Sequence, residues 1–181
     1  MYLEIIKDIS IVLADLGMRH GDYPFTGNWT EINWMNTPGP IYGAATDTCG
    51  TGPLVAPNNV HVDELGQEVV FRQPVNLYEL RQVIQAAEVD PCRGYGADGD
   101  VHWSYSSIKD WWSRRRELEA TINRWHKHQL DLADRKNYQY FAAICRWKDY
   151  VENGLHNYLR AYTFFLEEHR VPVEGDKLPL L

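Results

Sequence analysis

The segment from Pro38 to Pro57, PGPIYGAATDTCGTGPLVAP, constrains this chain more than any other. Its prolines fix φ and remove backbone donors, and its glycines open turns that other residues resist. It therefore cannot continue a helix or fill a central strand. Tyr42, Thr46, Asp47, Thr48, Cys49 and Thr51 project polar groups from this restrained frame. Polar groups on a rigid loop are a common setting for binding and catalysis.

The remainder of the chain can build the core that such a loop needs. Hydrophobic residues make up 44% of the 181 positions, enough for a single domain over 1–181. Seven Trp and eleven Tyr favour a core with wet edges and aromatic binding faces, because each ring buries area while its polar tip seeks a partner. The formal charge of −7 argues against nucleic acid or an anionic membrane as partner. Cys49, Cys92 and Cys145 show no C-x-x-C spacing, which fits a reduced, cytoplasmic setting. Acidic residues interrupt the first seventeen positions, unlike a signal peptide, and no apolar run is long enough to span a bilayer.

Periodicity organises the rest. Leu3, Ile6, Ile9, Leu13 and Leu16 predict a helix over 3–17, within an N-terminal segment 1–19. Residues 20–75 read as a Gly/Pro-rich irregular layer with short strands near 29–34, 60–62 and 68–73. Residues 76–104 read as a helix, opened by a capping-box-like Asn76 and Glu79 and ended by Asp90-Pro91, then a second Gly-rich loop over 92–103. Within 105–170, a helix opened by Ser107 and a second one from about 134 form a long antiparallel hairpin. The second helix runs continuous or kinked through Gly154, and a tail 171–181 follows. The expected fold is α+β and mainly helical, with the hairpin packed on the small β-containing layer.

Three kinds of chemistry are open to these loops. Cys49 beside Asp47, with Asp98 and Asp100 on the second loop, offers a nucleophile and acid–base groups; the bland alternative is a small cysteine filling a turn. Cys49, His61, Cys92 and His102 are suitable zinc ligands by type, but their spacing matches no common zinc motif. Tyr42, Thr46, Thr48 and Thr51, with Arg115, could hold a sugar or base, although no phosphate-binding fingerprint is present. The threonines serve equally well as self-bonding loop braces. No cofactor follows from any of these patterns.

The run GPIYGAATDTCGTGPLVAPNNV, then VVFRQP, then DP-x-x-GY-x-x-DGD-x-HW, resembles a group of uncharacterised bacterial proteins over about residues 36–113. The resemblance implies a bacterial origin and one folded unit spanning both Gly-rich loops, and it carries no activity. In general character the chain is also similar to immunity proteins that neutralise secreted toxins. The leading expectation is a non-enzymatic protein-binding module, an immunity-type inhibitor that occludes the basic active site of a toxin. The alternative is a small cytosolic enzyme or nucleotide-binding protein with a cleft between loops 38–57 and 92–103. No oligomeric state follows from the sequence.

Overall fold

The computed structural model describes residues 23–131 and 138–181, together with Ile9, Leu13, Ala14 and Gly17. The fold is α+β and mainly helical, with two small antiparallel sheets. The chain divides into two compact units, Met1–His102 and Trp103–Leu181. Of the N-terminal helix expected over 3–17, most positions lie outside the described residues. Ile9, Leu13 and Ala14 are helical, and Gly17 turns the chain at φ +76°.

The first unit runs β1 (Tyr42–Gly43), α1 (Gly52–Val55), β2 (Val60–Val62), β3 (Glu68–Val70), α2 (Leu77–Val89) and β4 (Tyr95–Gly96). The ribbon 38–57, expected to exclude helix, thus holds one short turn of it, because Pro53 sits in the first turn, where its missing N–H costs nothing. The two Gly-rich loops are joined directly: Tyr42 pairs with Gly96 and Gly43 with Tyr95. In the β2–β3 hairpin, Val60 pairs with Val70 and Val62 with Glu68. Asp63 shapes the hairpin tip, accepting from the backbone N–H of Leu65 at 2.8 Å and of Gln67 at 2.9 Å.

Helix α2 buries Leu80, Val83, Ile84 and Ala87, the i, i+3, i+4, i+7 stripe of an amphipathic helix. These residues join Ile41, Val60, Val70 and Tyr95 in one core, to which Ile9 and Leu13 also belong. Burying an aliphatic side chain of this size contributes roughly 1.5–3 kcal/mol. Asn76 caps the helix by accepting from Glu79 N–H at 2.9 Å. The reciprocal half of the expected capping box is absent. The Glu79 carboxylate instead accepts from Val75 N–H at 3.0 Å and pairs with Arg72.

Two strand expectations change. Residues 29–34 hold a single 3-10 turn, Trp29–Glu31, because Asn28 accepts from Thr30 N–H at 3.1 Å and offers the backbone a local alternative to a ladder. The strand expected over 68–73 stops at Val70, where Phe71 N–H turns to the carbonyl of Asn59 at 2.9 Å.

The second unit contains α3 (Tyr105–Ser113), α4 (Arg115–Asp131), α5 (Tyr138–Asn153) and α6 (Leu155–Glu168). The cap of α3 is Ser104 rather than Ser107. Ser104 Oγ accepts from Ser107 N–H at 3.2 Å, and Ser107 Oγ accepts from Ser104 N–H at 2.9 Å. Each expected long helix breaks once. The first breaks at Arg114, whose N–H is shared between the carbonyls of Trp111 and Trp112. The second breaks at Gly154, a residue about 1 kcal/mol poorer than Ala inside a helix.

The arms of this hairpin are antiparallel. Trp112 stacks on His156 at 5.3 Å, Lys148 donates to Asn123 at 2.6 Å, and His126 stacks on Phe141 at 5.4 Å. As the residue number rises in one arm it falls in the other, so the breaks at Arg114 and Gly154 lie level with each other. Ile108, Leu118, Ile122, Ile144, Trp147, Leu155 and Tyr162 are fully buried. The tail is held by its carbonyls, and Leu180 is 77% exposed. Arg160 donates to Pro179 O at 2.8 Å and to Leu178 O at 3.0 Å, and Tyr105 donates to Leu180 O at 2.8 Å.

Candidate functional site

Buried polar side chains knit the two Gly-rich loops together. Glu68, at the start of β3, accepts from Gly52 N–H at 2.6 Å with one oxygen and from the Tyr95 hydroxyl at 2.5 Å with the other. Asp90, just past α2, accepts from Asp47 N–H at 3.1 Å, Cys92 N–H at 3.0 Å and Gly94 N–H at 2.7 Å. Gln73 brackets Ile41, accepting from its N–H at 3.2 Å and donating to its carbonyl at 2.6 Å. Two glycines are required by this closeness. A Cβ on Gly94 would run into the backbone of Ala45 and Thr46, and one on Gly52 into the Glu68 carboxylate.

The electrostatics follow from burial. Desolvation pushes the Glu68 carboxyl above its ordinary range, and the Asp47 and Asp90 carboxylates add to the rise. The hydrogen bonds from Tyr95 and Gly52 act in the opposite direction. Burial and the Glu68 carboxylate push the Tyr95 phenol well above 10.0. The Cys49 thiol is pushed up chiefly by the Asp47 carboxylate. A thiolate is the nucleophilic form of cysteine, so this environment works against the activation that catalysis by Cys49 requires.

A second cluster lies at the end of this unit. Tyr42 donates to Asp98 Oδ1 at 2.7 Å, and His102 Nε2 lies 3.1 Å from Asp98 Oδ2. The His102 ring stacks on Trp29 at 4.6 Å, and Trp29 meets Tyr42 edge-on at 5.1 Å. Burial alone would raise the Asp98 carboxyl, but the bonds from Tyr42 and His102 outweigh it and hold Asp98 below its ordinary value. The arrangement can orient an imidazole. Cys49 belongs to the other cluster, beside Asp47 and Cys92.

The remaining expected site residues disperse. Thr46 is buried, its hydroxyl accepting from Glu68 N–H at 2.7 Å. Asp47 folds back on its own loop, accepting from Cys49 N–H at 2.8 Å. Thr48 is exposed, and Thr51 precedes α1 without a side-chain capping bond. Asp100 sits half-buried in the 3-10 turn Gly99–Val101. His61 is buried in β2, its Nδ1 2.7 Å from Val62 O. Arg115 lies in the other unit and stacks over Trp112 at 5.0 Å. The zinc set Cys49, His61, Cys92 and His102 does not assemble: among the described residues no group of three His, Cys, Asp or Glu is placed to hold a metal.

No protein-family model, curated protein or solved structure matches this chain. Among the described residues no helix is long and apolar enough to cross a membrane.

Sequence reasoning missed Glu68, Asp90 and Gln73 as organising residues. Each was read by its local role: strand start, helix stop and strand end. The partners of Glu68 and Gln73, and the Asp47 N–H held by Asp90, are distant in sequence, so no local pattern announces them.

Charge is divided between the two units. Residues 1–102 carry 14 acidic and 5 basic side chains, a net of −9, and residues 103–181 carry 11 and 13, a net of +2. On the acidic unit, Leu65 is 78% exposed beside the exposed Glu64 at the Asp63-braced hairpin tip, and Val101 is 79% exposed close to Asp98 and Asp100 in sequence.

Proposed function

We propose that the chain is a non-enzymatic protein-binding module whose acidic unit docks on a basic protein surface, as an immunity-type inhibitor would cover the active site of a toxin. The segregation of charge, −9 on residues 1–102 against +2 on residues 103–181, carries this reading. A single-sign field speeds encounter with an opposite surface and disfavours wrong partners. Rigidly held exposed apolar groups such as Leu65 supply contact area at low ordering cost. The loop 38–57 named in the enzymatic alternative supports the same reading, because Thr46 and Asp47 are engaged with backbone N–H groups. Residence in the cytoplasm belongs to this proposal; the three free thiols fit a reducing compartment.

The test is association with, and inhibition of, the protein encoded next to this chain in its host genome. Replacing the exposed Glu31, Glu64 and Glu88 with Lys is expected to slow association roughly tenfold and to flatten its salt dependence. Unchanged association rates in that variant, together with loss of biological activity in Asp47→Asn and Cys49→Ala, would overturn the proposal.

The enzymatic alternative draws on one observation, the Asp98–His102 pair bonded to Tyr42. Under that reading, His102→Ala would abolish a turnover that survives charge reversal of the exposed glutamates.

A further inference from the structure

Cys49 and Cys92 lie 43 positions apart in sequence, yet one carboxylate brings their loops together. Asp90 Oδ1 accepts from Asp47 N–H at 3.1 Å and from Cys92 N–H at 3.0 Å. The two donor nitrogens share this oxygen, so they lie within about 6 Å of each other. Asp47 then turns the chain back, taking the N–H of Cys49 at 2.8 Å. Both thiols are free and exposed. The third thiol, Cys145, is half-buried in helix α5 of the other unit.

We propose that Cys49 and Cys92 are a thiol pair that closes to an intramolecular disulfide when the chain meets an oxidised low-molecular-weight disulfide. The exchange runs in two displacements. The thiolate of one cysteine attacks a sulfur of the small disulfide; that S–S bond breaks, and one small thiolate leaves and takes up a proton. The thiolate of the other cysteine then attacks the protein-bound sulfur of the mixed disulfide. The Cys49–Cys92 bond forms and the second small thiol departs. The protein is oxidised by two electrons and loses two hydrogens, and the small disulfide is reduced to two thiols.

The product staples together loops that Asp90 already holds and restricts the unfolded chain. The attacking form is the thiolate, so exchange quickens as pH rises. This device is independent of the partner proposed above.

The experiment is incubation of the full chain with oxidised glutathione at mildly alkaline pH, followed by intact-mass measurement and non-reducing peptide mapping. The expected product has lost the mass of two hydrogens, links Cys49 to Cys92, leaves Cys145 open to alkylation, and melts at a higher temperature than the reduced chain. The Cys49→Ser variant is expected to stop at a stable glutathione adduct on Cys92. No reaction, persistent glutathione adducts on both cysteines of the native chain, a link through Cys145, or a covalent dimer would each overturn the proposal.

Discussion

Tyr95 and Glu68 share a hydrogen bond of 2.5 Å in the interior of the first unit, where the tyrosine is fully buried and the glutamate is 1% exposed. The other oxygen of the carboxylate holds Gly52 N–H. Cross-linking of the Pro-rich loop, the β2–β3 hairpin and the second Gly-rich loop thus runs through one acidic side chain. Its surroundings contribute two further carboxylates, Asp47 and Asp90.

This burial makes stability depend on pH in a definite direction. The folded-state Glu68 value is raised above 4.5, so the folded chain holds this proton more tightly than the unfolded chain. The contribution is fully present below 4.5 and is lost as pH rises through the raised folded value. Glu68→Gln removes the titration and keeps an oxygen to accept from Gly52. Urea midpoints measured across that interval are expected to fall for the native chain and to stay flatter for the variant. Two parallel profiles would refute the role assigned to Glu68.

Asn36 is 1% exposed and bonded on every side. Its oxygen accepts from Gly43 N–H and Val70 N–H, both at 2.8 Å. Its nitrogen donates to the carbonyls of Asn33 and Gly43, both at 2.7 Å. Leaving a buried backbone group without a partner costs about 1–3 kcal/mol. Asn36→Ala is therefore expected to lose about 3 kcal/mol or more in chemical denaturation. A loss below about 1 kcal/mol would show that water replaces the amide.

Asp90 tethers three N–H groups of the two loops, so Asp90→Ala is expected to loosen them before it unfolds the chain. Limited proteolysis should then cut within 44–50 or 91–94 at least about tenfold faster, the effect of a local opening made easier by about 1.4 kcal/mol. Unaltered cleavage rates at those positions would mean that the β1–β4 pairing alone holds the loops.

Trp147 is fully buried in α5, and its ring centroid lies 5.9 Å from that of Trp125 in α4. Trp147→Ala should destabilise the second unit by about 3–5 kcal/mol, the usual cost of deleting a buried aromatic side chain. A helical signal surviving to the native midpoint would place the main support of the hairpin elsewhere.

Local chemistry was readable from the chain before any fold was known. Asn76 with Glu79 and the stop at Asp90-Pro91 announced α2, and the spacing of Ile144, Trp147, Val151 and Leu155 announced the last arm, because helical burial repeats every three to four residues. Gly154 was readable as the place where the second helix could kink, but the break at Arg114 was not, since the apolar stripe passes through it. The candidate site was harder still. Asp47 and Cys49 stood out as loop chemistry, whereas Glu68, whose partners Gly52 and Tyr95 lie 16 and 27 positions away, read only as the edge of a strand.

The sequence by itself determined the helix faces, the loop-forming character of 38–57 and the acidic balance of the chain, because periodicity, ring-locked φ and charge are properties of neighbouring residues. Only the tertiary structure decided that Thr46 and Asp47 of that ribbon would turn to backbone N–H groups, and that the backbones of Asp47 and Cys92 would come to share one tether, Asp90. A buried carboxylate must find donors wherever the folded chain brings them, and no local pattern records which distant N–H or hydroxyl that will be.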